Sequence, residues 1–167
     1  LKILNKHKNI IFVFTGKGFL PDALTERTLK CKKVHFKNYH NVVSKSFINL
    51  APLENTVFNN AKSALKIIEA GFFGINTVCS GTQEYKNAPE ISRNIVSSNN
   101  QWESILDRAI EIGYNSKMTI NRMEEVRSHY HPLTTTKKLI SCLESSLWQD
   151  SSDDYMNIKT FFSNYFY

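Results

Sequence analysis

The residues best suited to chemistry lie in one short stretch, Lys62-Ser63-Ala64, with Lys66 and Glu69 soon after. A helical period over 61–73 puts Ala64, Ile67, Ile68, Gly71 and Phe72 on one core-facing stripe. Lys62, Lys66, Glu69 and Phe73 share a different face. Asn59 or Asn60 is the expected cap, and Gly74 suits the position just beyond the helix end. Lys62 and Ser63 then occupy the first turn, where free N–H groups and the positive dipole end favour an anion. A lysine and a hydroxyl at that point deepen the effect. Glu69 follows seven residues later, roughly 10 Å along the axis. A carboxylate at that distance can accept hydrogen bonds from sugar hydroxyls while the helix start holds phosphates, which is the spacing of a nucleoside diphosphate. The same charges also fit a plain surface helix in which Lys62 and Lys66 pair with Glu69. The residues alone leave both readings open.

The elements around this stretch are short and apolar. Strands are expected at 9–16 ("NIIFVFTG"), 32–36 ("KKVHF"), 47–53 ("FINLAPL"), 75–80 ("INTVCS") and 94–98 ("NIVSS"). Helices or loops separate them. The opening "LKILNKHKN" reads as a helix end, a turn of helix is expected after Pro21, and "GTQEYKNAPEISR" reads as a loop. In "NQWESILDRAIEIGY", Trp102, Ile105, Leu106, Ala109 and Ile110 line one helical face. "NSKMTINRMEEVRSHY" and "TTTKKLISCLESSLW" give two further helices. Short apolar strands alternating with helices predict an α/β fold, a Rossmann-like parallel sheet flanked by helices, with a helical C-terminal extension. The domain is expected to span 1–148, followed by an aromatic tail over 149–167 that needs a partner surface.

Charge is unevenly spread. Residues 1–50 carry ten Lys/Arg against two Asp/Glu, and the remainder carries eleven against thirteen. A basic third of this kind is either a solvated face or a surface for phosphates. The three cysteines, Cys31, Cys79 and Cys142, form no even framework and no CxxC, which predicts reduced thiols and a cytoplasmic setting. No run is apolar enough to span a membrane. His129 and His131 flank Tyr130, but zinc sites draw three or four ligands and no carboxylate or cysteine cluster lies nearby in sequence. No metal is therefore expected. Gly16-Lys17-Gly18 follows a strand but lacks the length and the Lys-Ser/Thr ending of a P-loop. "KCKKVHFK" is basic without a nucleic-acid motif, so no nucleic acid is expected as a partner, and an anionic membrane surface is the alternative.

The stretch "INLAPLENTVFNNAKSALKIIEAGFFGINTVCSGTQEYKN" resembles the donor-binding segment of GT-B glycosyltransferases, close to the large retaining group called family 4. The resemblance lies in an apolar-Pro-Leu strand end (Leu50–Leu53), an Asn…Phe…Lys-Ser loop (Asn55–Ser63), the Ile68-Glu69-Ala70 helix centre, the turn at Gly74 and the Thr77–Ser80 strand. It is strong over 49–80 and loose over 9–145. It implies the C-terminal half of a GT-B fold that binds a nucleotide-diphosphate sugar without a metal or other cofactor. Lys62, Ser63 and Ala64 would take the diphosphate, Glu69 the ribose, and Lys17 would line the cleft edge; the catalytic residues are not identified. Two departures stand out. The family's second glutamate, eight positions before Glu69, is Ala61, and its proline before the strand is Asn76. The resemblance also implies an acceptor-binding N-terminal domain and a first strand ahead of residue 1, so this chain alone is expected to be inactive. The alternative is a non-catalytic Rossmann-like interaction module that docks through its basic N-terminal third.

Overall fold

The computed structural model describes residues 2–18 and 20–146, so the expected tail at 149–167 lies outside the described residues. Strand β1 (Phe12–Thr15) pairs in parallel with β2 (Thr28–Cys31), with Phe12 opposite Thr28. Strands β3 (Ile48–Ala51), β4 (Asn76–Ser80) and β5 (Arg93–Val96) form a second parallel sheet in that order. The molecule is an α/β protein with parallel strands in two small open sheets flanked by helices. The single sheet expected from the sequence is thus divided, with no ladder between β1 and β3 among the described residues.

The second strand lies four residues earlier than its apolar alternation suggests. Its position is fixed from outside the strand. The Arg27 guanidinium donates to the carbonyls of Leu4 (2.9 Å), His7 and Lys8 (both 3.0 Å), and also to that of Ile10. The Thr28 hydroxyl donates to the Leu24 carbonyl at 2.5 Å, at the end of helix α2 (Asp22–Thr25). With Arg27 held at the mouth of β1, the Phe12 amide bonds its carbonyl at 2.8 Å and the ladder starts there. Residues 32–35 are left without regular structure.

The second sheet is covered on both faces, as parallel sheets require. Side chains alternate across the pleat. Ala51 and Cys79 meet Ala64 and Ile67 on one side, together with Tyr85 and Ala88. Val78 and Val96 meet Ala109 on the other, backed by Trp102, Ile105 and Leu106 of helix α7 (Trp102–Ile112). Helix α3 (Tyr39–Val43) packs through Val43 and Tyr39 against Ala70 and Ile75, beside helix α5 (Leu65–Gly71). Helix α1 (Lys2–Lys6) is tied to α7 by ion pairs: Lys2 to Glu103 (3.2 Å), Lys6 to Asp107 (2.5 Å) and to Glu111 (3.1 Å). His7 adds a 2.6 Å contact to Asp107. These contacts hold the Asp107 carboxyl below its ordinary range and raise the Lys6 ammonium above its own.

The helix expected over 61–73 is a correction. Of that segment only α5 is helical, and a separate short helix, α4 (Val57–Asn60), precedes it across a turn. Thr56, not an asparagine, caps α4: its hydroxyl accepts from the Asn59 amide at 3.1 Å. Beyond α5 the expected glycine does its work. Gly74 has φ +71°, its amide donates to the Gly71 carbonyl (2.9 Å), and the Ile75 amide donates to that of Ala70 (3.0 Å). The 81–93 stretch is also more ordered than a loop, with helix α6 (Gln83–Asn87) and a 3-10 turn at Glu90–Ser92. Buried Arg122 donates to the carbonyls of Ile91 (2.9 Å) and Gly74 (3.4 Å), and burial lowers its guanidinium pKa.

The chain divides into two compact units, one ending at Arg127 and the other starting at Ser128. Helix α8 (Ser116–Tyr130) runs across that boundary. In the second unit, helix α9 (Pro132–Ser146) starts where the His131 carbonyl accepts from the Thr135 amide at 3.0 Å. Leu133 and Leu139 on it are exposed. Among the described residues no helix is long and apolar enough to cross a membrane.

Candidate functional site

In a right-handed β–α–β unit the helix starts over the carboxyl ends of its strands. The β3–α5–β4 unit therefore sets Lys62, Ser63 and Ala64 at the carboxyl edge of the second sheet. Side-chain hydrogen bonds shape that edge. The Ser80 hydroxyl, at the end of β4, accepts from the Leu53 amide (2.7 Å) and donates to the Leu53 carbonyl (2.8 Å). This fixes the chain where it leaves β3. The following loop is folded on itself: Asn59 Nδ2 donates to the Glu54 carbonyl (2.9 Å), and Asn60 Nδ2 to Asn55 Oδ1 (3.0 Å). The Gly81 amide donates to the Val96 carbonyl at 2.9 Å. A methyl group at Gly81 would stand 3.3 Å from Ile95 Cγ2, so the glycine permits close approach of β4 and β5 at this edge. Beside it, Thr82 is buried, and among the described residues its hydroxyl has no partner. The amides of Ser97 (3.0 Å) and Ser98 (3.2 Å) donate to Gln101 Oε1 just past β5.

The expected site residues separate into two environments, one before α5 and one on it. Lys62 and Ser63 are exposed and precede the helix, not inside its first turn as the period suggests. The Lys62 ammonium lies 5.0 Å from the centre of the exposed Phe58 ring. Ala64 is buried, and its carbonyl accepts from the amides of Ile67 (2.9 Å) and Ile68 (3.1 Å), so it starts the helix. Glu69 is part-buried and pairs with Lys66, Oε2 to Nζ at 3.3 Å. Of the two lysines able to meet Glu69, it is Lys66 that does. The same ammonium donates to the Tyr39 hydroxyl at 3.0 Å and sits 4.3 Å from the centre of its ring. Burial opposes the Lys66 charge, but the Tyr39 hydroxyl and the Glu69 carboxylate outweigh it and raise the pKa above 10.5.

Lys17 belongs elsewhere. It is exposed just past β1 in the first sheet, after Gly16 with φ +106°. A shallow hollow of about 200 Å³ beside it is lined by Gly18, Leu20, Thr25, Thr28 and Lys30. No hydrogen bond or ion pair among the described residues joins Lys17 to Lys62, Ser63 or Glu69. Three residues of the neighbourhood escape a sequence reading: Tyr39, Ser80 and Thr82. The polar run Ser80-Gly81-Thr82 straight after a buried strand is the available signal for two of them. Nothing local marks Tyr39. Among the described residues no group of three or more His, Cys, Asp or Glu is placed to hold a metal ion. Neither a family model, nor a curated protein, nor a solved structure matches the chain.

Proposed function

We propose that the β3–β4–β5 unit is the nucleotide-sugar-binding half of a glycosyltransferase of Rossmann-like, GT-B type. The observation that carries this reading is the parallel unit whose carboxyl edge gathers Lys62, Ser63 and the Thr82 hydroxyl, which has no partner among the described residues, with Glu69 on the helix that follows Lys62 and Ser63. Open α/β sheets bind ligands at that edge. Lys62 and Ser63 would meet the diphosphate and Glu69 the ribose. A departing nucleoside diphosphate would be stabilised by the lysine and nearby amides, with no metal needed. Three cysteines with no even framework and no CxxC fit a reducing, cytoplasmic setting. The reading is tested by calorimetric titration of the chain, and of a form carrying any acceptor-binding domain, with UDP, GDP, ADP and CDP. One nucleotide should bind, and Lys62→Ala and Glu69→Ala should each weaken it about tenfold or more, the scale of one lost charge-assisted contact. If all four fail to bind either form, the proposal is wrong.

A second reading has its own support. Val13 and Leu29 stand opposite each other in the β1–β2 ladder, and both are exposed, as is Ile11 two residues before Val13 on the same face. Lys8, Lys17, Lys32 and Lys33, in the segments that lead into and out of these two strands, are exposed. As a non-catalytic interaction module, the chain would bind an anionic membrane surface or another partner there. That binding would survive Glu69→Ala and fall with Val13→Ser and Leu29→Ser.

A further inference from the structure

We infer that Lys66 is a positioning residue for ligand recognition by Glu69, with Tyr39 as its anchor; this rests on the nucleotide-binding reading above. The chain of contacts is direct. Tyr39 comes from α3 and is packed against the core beside Ala70 and Ile75, so its ring is a fixed point. The Lys66 ammonium lies on that ring and donates to its hydroxyl. From there it reaches one oxygen of Glu69, Oε2, at 3.3 Å. An ionised carboxylate has two oxygens and about four acceptor sites. Lys66 occupies one of these. Among the described residues the other oxygen, Oε1, has no hydrogen-bond partner, and the side chain keeps 27% of its exposure. That leaves a carboxylate held at one oxygen and open at the other.

This arrangement suits vicinal hydroxyls. A free glutamate side chain spreads over many rotamers, and immobilising it when a ligand arrives costs affinity. A glutamate already clamped by a lysine has met most of that cost during folding. The lysine is itself long and mobile, so an anchor is needed for the clamp to work. Tyr39 supplies both a cation–π face and an acceptor. An ordinary i, i+3 surface pair has no such third member, and its two partners are both well exposed. Here the carboxylate is part-buried and the ammonium is pinned from a second helix. Arginine is the one substitution at position 66 that preserves both charge and a ring contact.

The test uses the full chain and the nucleotide that binds most tightly in the titration above. Lys66→Met should weaken it about tenfold, and Lys66→Arg should recover most of the loss. Tyr39→Phe keeps the ring and removes the hydroxyl, and should give an intermediate loss. The double variant Lys66→Met/Glu69→Gln should bind no more weakly than Glu69→Gln alone, because Lys66 acts through Glu69. With the 2′,3′-dideoxy form of the nucleotide, wild type and Lys66→Met should bind alike. Circular dichroism and thermal midpoints show whether each variant is folded, and Lys66→Arg serves as the folded comparison if Lys66→Met is not. Additive losses in the double variant, or an equal loss with the dideoxy ligand, would overturn the inference while leaving the nucleotide site standing. Binding of no nucleotide by wild type would remove both together.

Discussion

Ser80→Ala removes a hydroxyl that accepts from the Leu53 amide and donates to the Leu53 carbonyl. Both bonds are short, at 2.7 and 2.8 Å, and they join the end of β4 to the residue two beyond β3. At about 1 kcal/mol net for each, the variant should lose about 2 kcal/mol. Leu53 is only part-buried, so water can reach the freed groups and larger values are not expected. For a chain of this size that corresponds to a fall of about 4–8 °C in Tm. Urea unfolding followed by circular dichroism measures it, with Ser104→Ala as the comparison. Ser104 is exposed and makes one 3.1 Å bond to the Gln101 carbonyl within its own helix start, so its loss should stay near 0.5 kcal/mol. Amide exchange at Leu53 should quicken in Ser80→Ala. Equal stabilities for the two variants, with unchanged exchange at Leu53, would refute the idea that Ser80 fixes the carboxyl edge.

Three further outcomes turn on burial. Gly74→Ala places a methyl 2.4 Å from Thr119 Cγ2 and 2.6 Å from the Thr119 carbonyl oxygen at φ +71°, whereas Gly16→Ala at φ +106° meets nothing within 4 Å. Each bears the backbone penalty of about 1–2 kcal/mol, and Gly74→Ala should cost clearly more in urea unfolding; equal losses would discount the Thr119 contact. Burial pushes the Cys79 thiol up from 9.0 to about 12, with nearby Arg93 opposing. Between those values the folded state keeps a proton that the unfolded chain loses, so stability falls as pH rises. The slope approaches about 1.4 kcal/mol per pH unit. Below pH 9 the thiol is protonated in both states and contributes nothing. Buried Tyr85 titrates in the same direction, so the measurement is the difference between wild type and Cys79→Ala from pH 8 to 11, and parallel curves would refute it. Native-state labelling should also spare Cys79 while reaching exposed Cys142.

Legibility in the sequence followed the range of the forces involved. Strands β1, β3, β4 and β5 are runs whose β-branched and aromatic residues declare them locally, and α7 carries a clear apolar stripe. Gly74 is legible because only a glycine readily takes that backbone angle. β2 is not, because its position depends on Arg27 gathering carbonyls from Leu4 to Ile10, contacts that span 17 to 23 residues. The α5 stripe is right in phase and wrong in length. Periodicity reports which side chains share a face, whereas the start of α5 is set where the chain turns at Ala64, after the separate α4 that Thr56 caps through the Asn59 amide. The pairing of Glu69 was open between two lysines. Tyr39, 27 residues away from Lys66, supplies an anchor that no local pattern encodes.

The ion pairs between α1 and α7 bear on the order in which the chain assembles. Each sheet ladder joins strands separated by one short crossover, so these contacts close small loops. Lys6 and Asp107 are 101 residues apart, and holding them together restrains a loop spanning most of the first unit. Exposed ion pairs repay little of such an entropic debt on their own. They become favourable once both sheets and α7 exist and the loop is already closed. The ion pairs between α1 and α7 are thus a clasp expected to close late over a folded body and to loosen with salt before the cores beneath them yield.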